Sequence, residues 1–201
     1  MYNCLTPPMN RKIKTGIYGG SFNPIHNGHI ALARHLLQEA ELDEIWFVVS
    51  PQNPFKVQQQ LLADDKRLLL VRKALAPYPQ LVASDFEFSL PRPSYMWHTL
   101  QGMSAQWPDR ELHLIIGADN WLCFDRWYHA DDIRSTYPII IYPRQGYDIE
   151  PSALPQGVRL VNTPLYNVSS TEIRADVAAG RDISSKVPST ILSEVEKEFS
   201  R

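Results

Sequence analysis

An apolar stretch that ends in paired glycines, crosses a polar loop and enters a helix narrows the folds open to this chain more than any other feature. Residues 15–18 read as a short strand, and Gly19-Gly20-Ser21-Phe22-Asn23-Pro24-Ile25-His26-Asn27-Gly28-His29 follows. From 29 to 40 the apolar residues Ile30, Ala33, Leu36, Leu37 and Ala40 recur at helical spacing. Such a turn leaves free backbone amides beside a helix N-terminus, where amides and helix dipole together favour an anion. Glycine lets a phosphate approach the backbone closely. His26 and His29 stand where the loop enters the helix, so both rings can face that anion. Neutral imidazole N–H groups there would stabilise charge developing on a phosphate. The passage contains neither Gly-x-Gly-x-x-Gly nor Gly-Lys-Ser/Thr, which separates it from the dinucleotide fingerprint and the P-loop. No cysteine or carboxylate stands at a spacing that would make the histidines zinc ligands. A tight turn with structural histidines accounts for either histidine alone, but poorly for the whole string.

The strand–helix alternation continues to the end of the chain. Strands are expected at 44–50, 112–116, 138–142 and 158–162, with an extended stretch at 81–88. Helices are expected at 64–76, at 94–106 with Ser94 as cap, at 170–179 stopped by Gly180, and at 188–199. This pattern predicts an α/β fold with a mainly parallel sheet covered on both faces. Residues 144–156 are loop-rich and read as an excursion from the core. The 201 residues suit a single domain, with residues 1–12 as a flexible N-terminal extension or with Met9 as the native start. A net charge of −2 argues against a nucleic-acid scaffold. The longest apolar runs, 45–49 and 138–142, are too short to span a bilayer, and the start does not read as a signal peptide. Two cysteines, Cys4 in the polar leader and Cys123 in an expected helical region, argue against a disulfide framework and for a cytoplasmic setting.

A second anion site is encoded near the C-terminus. Val168-Ser169-Ser170-Thr171-Glu172-Ile173-Arg174 opens a helix that Ser169 or Ser170 can cap. Arg174 lies about one turn beyond Ser170, on the same face, where its guanidinium could hold phosphate oxygens in two directions. A capped helix with a solvated arginine is the plain alternative.

Taken together these strings carry a family resemblance. Gly20-Ser21-Phe22-Asn23-Pro24-Ile25-His26-Asn27-Gly28-His29 resembles the first signature of the adenylyl- and cytidylyltransferase superfamily, and Ser169-Ser170-Thr171-Glu172-Ile173-Arg174 resembles its second. The resemblance implies a Rossmann-like doubly wound fold and direct nucleotidyl transfer without a covalent enzyme intermediate. It also implies an ATP site formed by Gly20, Ser21, Phe22, His26, Gly28, His29, Gly117, Asp119, Ser169, Ser170, Thr171 and Arg174. The histidines would contact the α-phosphate region, and the second signature would grip the departing β- and γ-phosphates.

The middle of the chain bears on the acceptor. Pro51-Gln52-Asn53-Pro54-Phe55-Lys56 follows a strand, where loops of open α/β sheets bind ligands. Arg92-Pro93-Ser94-Tyr95-Met96-Trp97-His98-Thr99-Leu100 is similar to the Pro-Ser-Tyr-Thr-x-x-Thr-Leu segment of bacterial nicotinate-nucleotide adenylyltransferases, with Met96 in place of a threonine. Gly117-Ala118-Asp119 and Phe124-Asp125-Arg126-Trp127-Tyr128 resemble that family's Gly-x-Asp and Trp-Tyr elements. The resemblance assigns Asn23, Lys56, Tyr95, Thr99, Trp127 and Tyr128 to the mononucleotide, and a catalytic set of His26, His29, Lys56 and Arg174. Trp127 offers a flat face to an electron-poor ring. Ordinary packing serves Tyr95, Thr99 and Trp127 as an alternative, and a surface position serves Lys56. The implied partners are ATP with Mg2+ and nicotinate mononucleotide, with no dedicated protein metal ligands; a homo-oligomer is compatible. Nicotinamide mononucleotide or phosphopantetheine as acceptor, and a nucleotide-binding sensor without catalysis, are the competing readings.

Overall fold

A computed structural model describes residues 11–51 and 61–200. The chain alternates β1 (Ile13–Gly20), α1 (Asn27–Glu39), β2 (Glu44–Val49), α2 (Asp64–Leu75), β3 (Leu81–Ser84), α3 (Met96–Gln106), β4 (Arg110–Gly117), α4 (Ala118–Trp121), α5 (Ala130–Thr136), β5 (Ile139–Tyr142), β6 (Val158–Leu160), α6 (Ser170–Ala178) and α7 (Leu192–Phe199). Short 3-10 turns interrupt it, among them Phe86–Ser89 and Phe124–Arg126. The six strands form one sheet in the order β3-β2-β1-β4-β5-β6, with every pairing parallel. Winding therefore reverses between β1 and β4, the switch point outside which ligands bind in such sheets.

The period-2 geometry of strands sends neighbouring side chains to opposite faces, and both faces here are apolar. Ile45, Phe47 and Val49 pack with α1, α2, α6 and α7, while Trp46 and Val48 pack with α3 and α5. Strands buried on both sides read as continuous apolar runs, which is why EIWFVV and IIIY carry no alternation.

Several expected boundaries shift. The stretch expected to be extended to 88 ends as a strand at Ser84; Ser84 Oγ accepts from Phe86 N at 3.3 Å and the chain turns into Phe86–Ser89. Ser94 does not cap α3, because its hydroxyl donates to Glu87 Oε2 at 2.9 Å; the helix starts at Met96 after an uncapped Tyr95. The closing helix begins at Leu192, after a 3-10 turn over Ser189–Ile191. Cys123 falls in the turn between α4 and the 3-10 turn at Phe124–Arg126 rather than inside a helix. Arg11, expected in the extension, already holds Asp43, with Nη2 2.6 Å from Oδ1.

A buried arginine ties together the strand ends that matter. Arg67 on α2 is 0% exposed. Its Nη1 donates to the carbonyls of Ser21 (2.5 Å) and Ser50 (2.8 Å), Nε to the Leu62 carbonyl (3.0 Å), and Nη2 to Asp64 Oδ1 (2.5 Å). A guanidinium buried this deeply is tolerable only when its donors and charge are answered in this way. The chain leaving β1 and the chain leaving β2 are thereby held side by side.

Candidate active site

β1 delivers the glycine-rich loop to the switch point. Phe22 adopts φ +44°, a left-handed conformation costly for a non-glycine residue. Its ring is buried against Tyr18, His29 and Phe47, with centroids 5.2–5.6 Å apart, and this packing holds the backbone in place. The loop ends at His26, which caps α1 in a reciprocal arrangement. His26 Nδ1 accepts from His29 N at 3.3 Å, and His29 Nδ1 accepts from His26 N at 3.2 Å. The two rings stack with centroids 3.6 Å apart. This is a capping box built from two imidazoles.

That geometry fixes the protonation state. A ring nitrogen that accepts a hydrogen bond carries no proton, so both rings are neutral and hold their proton on Nε2. Electrostatics agree. Burial, reinforced by Arg144, lowers His26 from 6.5 to about 3. Burial, then His26, then Arg144, hold His29 well below the ordinary value. The pair therefore presents two Nε2–H donors without needing to titrate. Gly28 is part of the device: a Cβ there would lie 3.1 Å from His26 Nδ1 and 3.2 Å from Cε1, and would push the ring aside.

The C-terminal motif reaches the same loop. Ser169 caps α6, accepting from Glu172 N at 3.1 Å. Ser170 Oγ donates to the Pro24 carbonyl at 2.9 Å, and Arg174 Nη1 donates to the Asn23 carbonyl at 2.7 Å. Arg174 Nη2 also contacts Thr171 Oγ1 at 3.3 Å. These bonds latch residues roughly 150 positions apart along the chain. The result is one cleft of about 800 Å³, lined by every residue expected at ATP together with Tyr95, Trp127 and Tyr128.

Three expected site residues stand apart. Asn23 is buried and its side chain faces away, Oδ1 accepting from Leu62 N at 3.1 Å, so it shapes the loop. Thr99 is buried behind the cleft and donates to Glu87 Oε1 at 2.9 Å. Neither lines the cleft. Lys56, with the segment after Pro51, lies outside the described residues.

The structure adds residues that the sequence reading did not single out. Arg144, just beyond β5, lines the cleft with Nε 3.7 Å from Asp119 Oδ1 and its guanidinium 5.4 Å from the Tyr142 ring centroid. Its position at the C-terminal end of a parallel strand was the available signal. Glu87 is 2% exposed and accepts from Ser50 Oγ (2.6 Å), Ser94 Oγ (2.9 Å) and Thr99 Oγ1. No periodic or motif signal marks it. Beside it, Tyr95 and Tyr128 pack with ring centroids 4.9 Å apart, and Trp127 lies 5.2 Å from Phe124. The cleft thus has one side of imidazoles, backbone amides and arginines, and an aromatic side.

The family described as cytidylyltransferase-like matches residues 17–176. A protein of Bacteroides fragilis named as a probable nicotinate-nucleotide adenylyltransferase is 51% identical over 172 residues, 86% of each chain. One of the same name from Cytophaga hutchinsonii is 42% identical over 185 residues, 90% of this chain and 96% of that one. Among solved structures, Plasmodium falciparum nicotinic acid mononucleotide adenylyltransferase complexed with NaAD superposes with a TM-score of 0.78 at 19% identity, covering 93% of this chain and 97% of its own. At that identity the likeness speaks for the fold.

Proposed function

We propose, on the premise that this chain belongs to the nicotinate-nucleotide adenylyltransferase family of cytidylyltransferase-like proteins, that it joins the AMP moiety of ATP to nicotinate mononucleotide, giving deamido-NAD and pyrophosphate. The observation that carries this reading is the convergence of the neutral His26–His29 pair and the α6 N-terminus on one cleft.

A phosphate oxygen of the mononucleotide attacks the α-phosphorus of ATP; that O–P bond forms as the bond from the α-phosphorus to the β-bridging oxygen breaks, and pyrophosphate leaves with its electron pair. The nucleophile is already an anion, so no strong base is needed, and catalysis falls to positioning and charge stabilisation. The Nε2–H groups of His26 and His29 would donate to α-phosphate oxygens. The free amides of α6, with Ser170, Thr171 and Arg174, would hold the leaving pyrophosphate. Arg144 would add positive charge to the same region, and Lys56, which lies outside the described residues, would meet the polyphosphate. Asp119 would accept from a ribose or adenylate group. Tyr95, Trp127 and Tyr128 would receive the pyridine ring.

Magnesium would enter with ATP and neutralise the triphosphate. Among the described residues no group of three His, Cys, Asp or Glu is arranged to hold a metal. Asp119 faces Arg144. This donor set fits a metal carried on phosphate oxygens and water.

A pyrophosphate-release assay tests the proposal. ATP and magnesium are supplied with nicotinate mononucleotide, nicotinamide mononucleotide or phosphopantetheine in parallel. Release is expected to be fastest with nicotinate mononucleotide. Dominance of either other acceptor replaces the acceptor assignment, and no release with any of the three favours a nucleotide-binding sensor.

A further inference from the structure

Glu87 is a buried carboxylate with an unusual set of partners. Oε2 accepts from Ser50 at the end of β2 and from Ser94 before α3, while Oε1 accepts from Thr99 within α3. All three donors are neutral hydroxyls, and among the described residues Glu87 forms no ion pair. A carboxylate kept out of water without a cation is costly, even when hydrogen-bonded. Glu87, Ser50 and Ser94 all line the cleft. Ser94 is followed directly by Tyr95 and Met96; Tyr95 packs on Tyr128, and the Met96 methyl closes against Gly19. The carboxylate therefore sits in the cleft wall near Tyr95, 2% exposed and oriented by three hydroxyls, with no cation beside it among the described residues.

We propose that Glu87 is the counter-charge for the pyridinium nitrogen of the mononucleotide, so that this cleft reads the charge on that nitrogen as well as the flatness of the ring. The inference rests on the acceptor assigned above. In a pyridine mononucleotide the ring nitrogen is bonded to ribose and carries a formal positive charge. Stacking on Trp127 recognises flatness and electron deficiency. A carboxylate at the wall of a low-dielectric pocket recognises the charge itself, more strongly than it could in water. Ser50, Ser94 and Thr99 are positioning residues: they aim the carboxylate without neutralising it.

The test crosses ring charge with side-chain charge. Binding of nicotinate mononucleotide and of its 1,4-dihydropyridine form, whose ring is neutral, is measured by calorimetry for the wild-type protein, Glu87→Gln and Glu87→Asp. Wild type is expected to favour the pyridinium form by about tenfold or more. Glu87→Gln keeps the size of the side chain and removes its charge. It is expected to lose about tenfold for the pyridinium form and less than about twofold for the dihydro form, with the KM for ATP unchanged. Glu87→Asp retains most of the preference. A purely structural Glu87 would weaken both ligands equally in Glu87→Gln, and that result overturns the inference. Should Glu87→Gln fail to fold, the wild-type comparison decides alone: equal affinity for the two rings refutes it. Wild-type protein that binds neither ring and releases no pyrophosphate removes the acceptor assignment and the inference together. Pyrophosphate release with an unchanged ring preference in Glu87→Gln removes the inference alone.

Discussion

Replacing His26 with asparagine is expected to make the protein more resistant to mild acid, although the residue it removes belongs to the proposed catalytic pair. In the folded protein His26 titrates near 3, against 6.5 for an unperturbed histidine. The unfolded chain therefore takes up a proton first, and stability falls as pH drops below 6.5, the loss being complete only below about 3. Between pH 7 and pH 5 the unfolded side chain goes from mostly neutral to almost fully protonated while the folded one stays neutral. Linkage converts this to about 2 kcal/mol lost from His26 alone. His29 is shifted in the same direction and adds to the loss. Asparagine cannot titrate, but its carbonyl oxygen can still accept from His29 N as an N-cap. Urea denaturation of both proteins at pH 7, 6 and 5 reads the difference directly. Contributions from distant groups cancel in the comparison, whereas His29, held down in part by His26, is lowered less in the variant and moves the difference in the same direction. The variant is expected to lose about 2 kcal/mol less than wild type across that range. Parallel losses in the two proteins would mean that His26 is charged in the native state, and the neutral Nε2–H assignment would fall with it.

His29→Ala is expected to lower turnover by about 100-fold to 1,000-fold with an unchanged circular dichroism spectrum, as for loss of a single donor to developing charge; near-wild-type turnover in a folded variant refutes its role. Trp127→Ala is expected to raise the KM for the mononucleotide about tenfold with little change for ATP, as lost ring stacking requires; equal effects on both substrates reject the stacking assignment. Gly16→Ala, under α1 in the sheet, would bring a Cβ to 2.6 Å from Ile115 Cδ1 and 2.8 Å from Leu42 Cδ1. Such overpacking is expected to cost about 1–3 kcal/mol in urea denaturation, and a neutral outcome would mean the sheet relaxes there.

Legibility in the sequence followed locality. The helix expected over 29–40 forms over Asn27–Glu39, and of Ser169 and Ser170 it is Ser169 that caps α6; both were readable because their signals, apolar spacing and a polar residue before a helix, lie within a few residues. Leu81–Ser84 was overextended to 88 because Phe86 and Phe88 prolong the apolar pattern, whereas the turn there is made by Ser84 and stabilised by hydroxyls from Ser50, Ser94 and Thr99. For Thr99 the resemblance implies a mononucleotide contact and the residues alone allow helix packing; on α3 it is buried and donates to Glu87, which itself lines the cleft.

Most of the strand–helix alternation, the parallel sheet and both end motifs are written in the chain, because apolar runs bury themselves on sheets and glycines or caps at strand and helix ends work over short range; α5, over Ala130–Thr136, lies outside the expected elements. Which groups meet is a different matter. Arg174 reaches Asn23, Arg67 binds the ends of β1 and β2, Glu87 collects hydroxyls from three segments, and Arg144 comes to Asp119. Those contacts depend on strand order and helix packing, which bring distant residues to one crevice, and no local pattern encodes the distance between them.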